Sequence, residues 1–147
     1  MKNNRISMGV AMIGAVAAVL AAFPTAASAH GTNDVGVVET TNFSGILPNV
    51  PGKSLVALEV DFEPGIEALA HTHEKSAFIY AYVLSGEVIS AVDDEEPRLY
   101  RAGESWQELP GAHHRVSRNA SKTQPAKLLA IFVADSDAGQ LTIPDPK

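Results

Sequence analysis

Hydrophobic and polar residues alternate along much of this chain with a period of two. In Ser54–Glu63, Val56, Leu58, Val60 and Phe62 fall on one face and Glu59, Asp61 and Glu63 on the other. That spacing predicts a half-buried antiparallel strand. Pro64 and Gly65 turn the chain out of it. Phe78–Leu84 is rich in aromatic and branched residues, and Ser85-Gly86 makes a tight turn into a further strand over Glu87–Val92. Arg98–Arg101, Glu104–Leu109, His113–Arg118 and Lys127–Ala134 complete the set, and Leu128–Val133, apolar on both faces, is predicted in the middle of the core.

Between these runs the chain is punctuated by turn residues. Val35–Thr41 suits an edge strand, and Asn42–Lys53, with Gly45, Pro48, Pro51 and Gly52, reads as a loop. Asp93–Pro97 is an acidic hairpin tip, Asn119–Pro125 a polar loop, and Asp135–Lys147 a tail with two prolines. No helical period is sustained and no internal repeat is visible. Short strands about ten residues apart with Gly and Pro at the turns predict an all-β sandwich or barrel.

The first 29 residues read differently. Lys2 and Arg5 precede an apolar run from Met8 to Phe23, and Ala27-Ser28-Ala29 is a small-residue cleavage site. This is the pattern of a cleaved signal peptide, and the run is short for a membrane span. The expected mature chain starts at His30 and has 118 residues, enough for one domain. We divide it into an N-terminal strand and loop (30–53), a main domain (54–134) and a C-terminal tail (135–147). A periplasmic or secreted location follows from that leader.

The expected mature chain carries a net charge of −8, since the leader removes two basic residues and no acid. Such a balance excludes nucleic acid and anionic membranes as partners, which select basic surfaces. The absence of cysteine excludes disulfides, thiolate ligands and a cysteine nucleophile. A metal would have to rest on histidine and oxygen.

Four of the five histidines fall in two places. His71 and His73, one residue apart, share a face of any strand they occupy, so both imidazoles can reach one point. His113 and His114 lie about forty residues downstream, far enough for a hairpin or two to bring a third imidazole back to that point. Three such donors suit a divalent transition metal.

These stretches resemble the two motifs of the cupin family. Gly65, His71, His73 and Gly86 look like the first, with Gly65 and His71 correctly spaced. Gly103, Pro110, Gly111, His114 and Asn119 look like the second, with Asn119 one residue late. The glutamate that commonly completes the first motif is missing. Its place, counted from either end, falls on Ala77, Phe78 or Ile79, and the stretch from His73 to Gly86 is a residue or two long. Glu74, next to His73, should point to the opposite face unless a bulge intervenes.

The resemblance implies a single-domain jelly-roll β-barrel holding one divalent metal (Fe, Mn, Cu, Ni or Zn) through His71, His73 and His114. His113 is expected outside the ligand set. Neutral imidazoles would leave the metal's full charge for a small molecule, anionic or phenolic. Of the faces that can line the cavity, one carries Phe78, Tyr80 and Tyr82 and offers an aromatic wall; Trp106 shares a face with Glu104 and Glu108, either of which can act as a general base. The activities implied include a quercetinase-like dioxygenase. The alternative is a non-catalytic module that binds a metal or small ligand. Pairing of two copies through edge strands is a further implication.

Overall fold

The computed structural model describes residues 35–146, so the leader at 1–29 and His30 lie outside the described residues. The ten strands are β1 (Val37–Ile46), β2 (Lys53–Phe62), β3 (His71–His73), β4 (Phe78–Ser85), β5 (Glu87–Val92), β6 (Arg98–Arg101), β7 (Ser105–Glu108), β8 (His113–Asn119), β9 (Ala126–Asp135) and β10 (Thr142–Pro144). They form two five-stranded sheets, ordered β1-β2-β9-β4-β7 and β10-β3-β8-β5-β6. Every pairing is antiparallel. No helix occurs among the described residues. The result is the all-β, two-sheet jelly roll that the alternation and the two motifs predict.

The inner faces of the two sheets differ in chemistry. The first contributes Val56, Leu58, Val60, Phe62, Ile79, Ala81, Val83, Leu128 and Phe132, all buried. The second contributes Val88 and Tyr100, but also the buried polar residues His71, His73, Ser90, His114, Ser117 and Asn119. An apolar wall therefore faces a polar one, and the site lies between them.

Two irregularities absorb the residues by which the motif spacings run long. Ala91 pairs with Val116 but Val92 pairs with His114, so Arg115 is an extra residue in β8. Such a bulge rephases the strand, turning His114, Ser117 and Asn119 inward together although plain alternation would not. Asn119 reaches its place despite lying one residue late. Its Nδ2 donates to the carbonyls of Gln124 (2.8 Å) and Glu63 (3.1 Å), tying the loop after β8 to the end of β2. A second bulge at Leu84, between the pairs Val83–Leu128 and Ser85–Lys127, takes up excess length before Gly86. Gly86 has φ +73°, and a Cβ there would lie 2.6 Å from the Pro125 carbonyl oxygen, so the turn requires glycine.

Three expectations need correction. β1 runs on to Ile46, so half of the expected loop is strand. β9 is the middle strand of its sheet, yet only one of its faces enters the core, with Leu129, Ile131 and Val133 half-buried on the outer side. The tail is not an unpaired extension. It carries β10, which pairs with β3 in the register Thr142 to His73 and Pro144 to His71.

Candidate metal centre

β3 is only three residues long, and its neighbours hold it on both sides. Its outer edge pairs with β10 and its inner edge with β8, where His71 lies opposite His114. Alternation sends His71 and His73 inward, and the bulge sends His114 to meet them. All three are buried, and each offers a ring nitrogen within 4.8 Å of those of the other two. The structure thus brings together the three histidines singled out in the sequence.

Backbone carbonyls set the imidazole tautomers. A carbonyl only accepts, so His71 Nδ1 donates to the Leu69 carbonyl oxygen (2.8 Å), leaving Nε2 with a bare lone pair. His73 Nδ1 donates likewise to the carbonyl of Leu141, just before β10 (3.4 Å). His114 Nε2 shares a hydrogen bond with the buried Ser90 hydroxyl (2.9 Å). Burial, reinforced by the neighbouring His114 and His73 rings, pushes His71 down to about 4. Burial also lowers His114, outweighing the opposing pull of Glu108. Both rings are therefore neutral at pH 7, as metal donors must be.

Glu108 is the functional candidate whose burial the sequence concealed. A glutamate ending a short strand reads as exposed, yet this one is 2% exposed, at the inner end of β7. Its Oε1 accepts from Trp106 Nε1 (3.0 Å) and lies 3.3 Å from His114 Nδ1. Its Oε2 lies 2.9 Å from His73 Nε2. Burial pushes the carboxyl up, but the His73 and His114 imidazoles and the Trp106 indole outweigh it and hold the group down at about 2. The only available signal was Trp106-x-Glu108 on one strand face.

The other candidates lie elsewhere. Glu74 turns away, its Oε2 accepting from the backbone N–H (2.5 Å) and hydroxyl of Ser76. Glu104 accepts from the Arg101 backbone N–H (2.6 Å) and closes a turn. His113 points outward, with Nε2 2.8 Å from Asp145 Oδ2. Tyr80 is 40% exposed on the outer face of β4, as are the half-buried Phe78 and Tyr82, so the aromatic wall expected there is replaced by Ile79 and Ala81. Rings do approach the site from other strands. Phe132 lies 5.5 Å from His73 and Trp106 6.3 Å from His114, centroid to centroid.

A cavity of about 50 Å³ opens beside the histidines, walled by Leu58, Phe62, Ile79, Ala81, Leu128 and Phe132. Among the described residues no Lys or Arg lines it, whereas Glu39 and Glu108 do. The donor set fits a divalent transition metal: three buried imidazoles, two of them with fixed tautomers, and two buried polar atoms, His73 Nε2 and Glu108 Oε2, that make no hydrogen bond.

No curated protein matches the chain. Among solved structures it is similar to a Cupin_2 domain of an XRE family transcriptional regulator from Enterobacter cloacae (18% identity over 66% of this chain and 95% of that one, TM-score 0.55). It is similar to oxalate oxidase in complex with the substrate analogue glycolate (24% identity, TM-score 0.54), covering 76% of this chain and 56% of that one. It is also similar to TT1209 from Thermus thermophilus (27% identity, 78% and 89% covered, TM-score 0.52). The family model Cupin_2, a cupin domain, matches residues 58–132, just over half of the chain and the span that includes every side chain of the three-histidine centre. With two β-sheets facing each other and both histidine motifs delivered to one point, the chain belongs to the cupin family.

Proposed function

We propose that this protein binds one divalent transition metal through His71, His73 and His114 and uses it on a small molecule that enters the adjoining cavity. The observation that carries this reading is the set of three buried imidazoles with nitrogens within 4.8 Å of one another. When bound, such a metal supplies a Lewis-acidic or redox centre. The chain's own residues do the rest: carbonyls and Ser90 orient the rings, and the apolar wall excludes water.

The cavity favours a phenolic ligand over a multiply charged anion. It holds no cation to neutralise carboxylates, it already contains two acids, and its apolar wall suits a ring carrying one metal-binding oxygen. A dioxygenase of the quercetinase-like sort is the most concrete enzyme of this kind, acting on the part of a molecule that fits about 50 Å³. The second reading, a non-catalytic module that captures a metal or ligand, is supported by the same geometry.

Elemental analysis of protein purified without chelators, beside the His71→Ala/His73→Ala variant, tests the metal. About one equivalent in the parent and little in the variant is the expected result, and none in the parent after each ion is added back refutes it. Oxygen uptake with simple catechols then separates the two readings. The export reading predicts that protein from the exported fraction begins at His30. Homodimer formation through β1 is supported by its ten-residue edge bearing the exposed Val38, Phe43 and Ile46, and light scattering of the purified protein tests it.

A further inference from the structure

The sequence lacks the glutamate expected in the first motif, yet the site does not lack a carboxylate. We infer that Glu108 is a fourth protein ligand of the metal, supplied by β7 instead of β4. The inference rests on the metal-binding reading above and adds a donor to it.

The first argument is hydrogen-bond accounting at the His73–Glu108 contact. His73 Nδ1 donates to the Leu141 carbonyl, so Nε2 presents a lone pair. Glu108 Oε2 lies 2.9 Å away, and neither atom makes a hydrogen bond. Inside an apolar wall such a contact is favourable only with a cation shared between the two atoms, a proton in the metal-free protein and the metal ion in the loaded one, so the pair is a ready place for a metal to displace a proton. Both atoms are buried, on residues that line the cavity.

The second argument is aim. Trp106, two residues earlier on the same strand face, donates its indole N–H to Oε1 at 3.0 Å. That contact restrains the carboxylate and leaves Oε2, 2.9 Å from His73 Nε2, as the oxygen without a hydrogen bond. A ligating carboxylate held in this way by a hydrogen bond to its second oxygen is the usual supporting arrangement at metal sites.

The third argument is register. Glu108 pairs directly with Ile79 across β4 and β7, and Ile79 is one of the positions on which the missing glutamate falls. Both side chains line the same cavity. Residues directly opposite on neighbouring strands have Cβ atoms only about 5 Å apart, within the reach of a glutamate side chain. The carboxylate has thus moved one strand sideways while its oxygen stays beside the same histidines. With it the centre carries one negative donor, so a bound divalent ion presents less charge to an incoming molecule than three imidazoles alone would leave.

Titration of metal-free protein with Zn²⁺ and Co²⁺, followed by calorimetry and by the visible Co²⁺ bands, tests this. Glu108→Gln removes the charge and keeps the shape, while Glu108→Asp keeps the charge and withdraws the oxygen by one methylene. If Glu108 is a ligand, both variants bind Zn²⁺ more weakly by a larger factor than the roughly 10–100-fold that loss of an outer hydrogen-bond partner costs, and both alter the Co²⁺ spectrum. The exchange variant Ile79→Glu/Glu108→Ile returns the carboxylate to β4 and restores binding to within about tenfold of the parent, a margin of roughly 1.4 kcal/mol. Parent-like affinity and an unchanged Co²⁺ spectrum in folded Glu108→Gln would overturn the inference while leaving the three-histidine site standing. Should the exchange variant fail to fold, the Gln and Asp pair decides alone. A parent that binds neither ion refutes the metal site itself.

Discussion

Acidification should destabilise the metal-free protein, and His71 sets the scale. Its folded-state pKa is held at about 4, first by burial and then by the His114 and His73 rings, against 6.5 for an exposed imidazole. Between those values the unfolded chain takes up a proton that the folded chain refuses. Stability is therefore complete above about pH 6.5, falls as the pH drops toward 4, and stops falling on this account below it. At about 1.4 kcal/mol per pH unit the gap is worth about 3 kcal/mol, a large share of the 5–15 kcal/mol typical of a small domain. The shift of His114 adds in the same direction. Urea unfolding at pH 7.5 and 4.5, after chelation and dialysis, measures it. Trp106, the single tryptophan, packs 4.5 Å from Tyr100 and 6.3 Å from His114, so its fluorescence reports on this region. His71→Gln keeps a donor for the Leu69 carbonyl and cannot titrate, so its loss between the two pH values should be smaller by about 2.5 kcal/mol, the part of the effect expressed by pH 4.5. Equal losses in parent and variant would refute the assignment of the effect to His71.

Other substitutions test the frame around the site. Leu141 is fully buried, so Leu141→Ala should cost about 2–5 kcal/mol by thermal or urea melts. It should also weaken metal binding, because the Leu141 carbonyl orients His73; Ile143→Ala, at a half-exposed position two residues on, should stay within about 0.5 kcal/mol of the parent. Gly86→Ala must fit a Cβ 2.6 Å from a carbonyl oxygen at positive φ and should be far more damaging than Gly52→Ala, where φ is also positive but nothing lies within 4 Å. His113→Ala should leave metal content near the parent's in elemental analysis and lose only the contact with Asp145.

Strand positions were legible because burial on one face writes a period of two into the sequence: Glu87–Val92 and Arg98–Arg101 were placed to the residue. The histidine pair was legible for the same reason, since His71 and His73 need only a strand to converge. β10 was not, because Thr142-Ile143-Pro144 is too short to show alternation and takes its strand character from pairing with β3. Bulges hide from the period as well. The extra residue at Arg115 looked like a misplaced Asn119, when it is what lets both His114 and Asn119 face inward. The sequence offers Glu104 and Glu108 alike as a general base, because charge usually marks the solvent side and does not tell them apart; only the fold shows the Glu108 oxygens turned toward His73 and His114.

The order of strands in the first sheet also bears on when the chain can fold. β9 is the next-to-last strand in sequence but the central one in space, with β2 on one side and β4 on the other. Until residue 135 has been made, β2 and β4 each keep an open edge with an apolar inner face, and no local hairpin joins them. A growing chain released N-terminus first therefore cannot lay down this sheet progressively. It must wait, unassembled and prone to aggregation, for a strand that arrives almost last, and then close the domain in one nonlocal step. Slow, late folding is the kinetic cost of this topology.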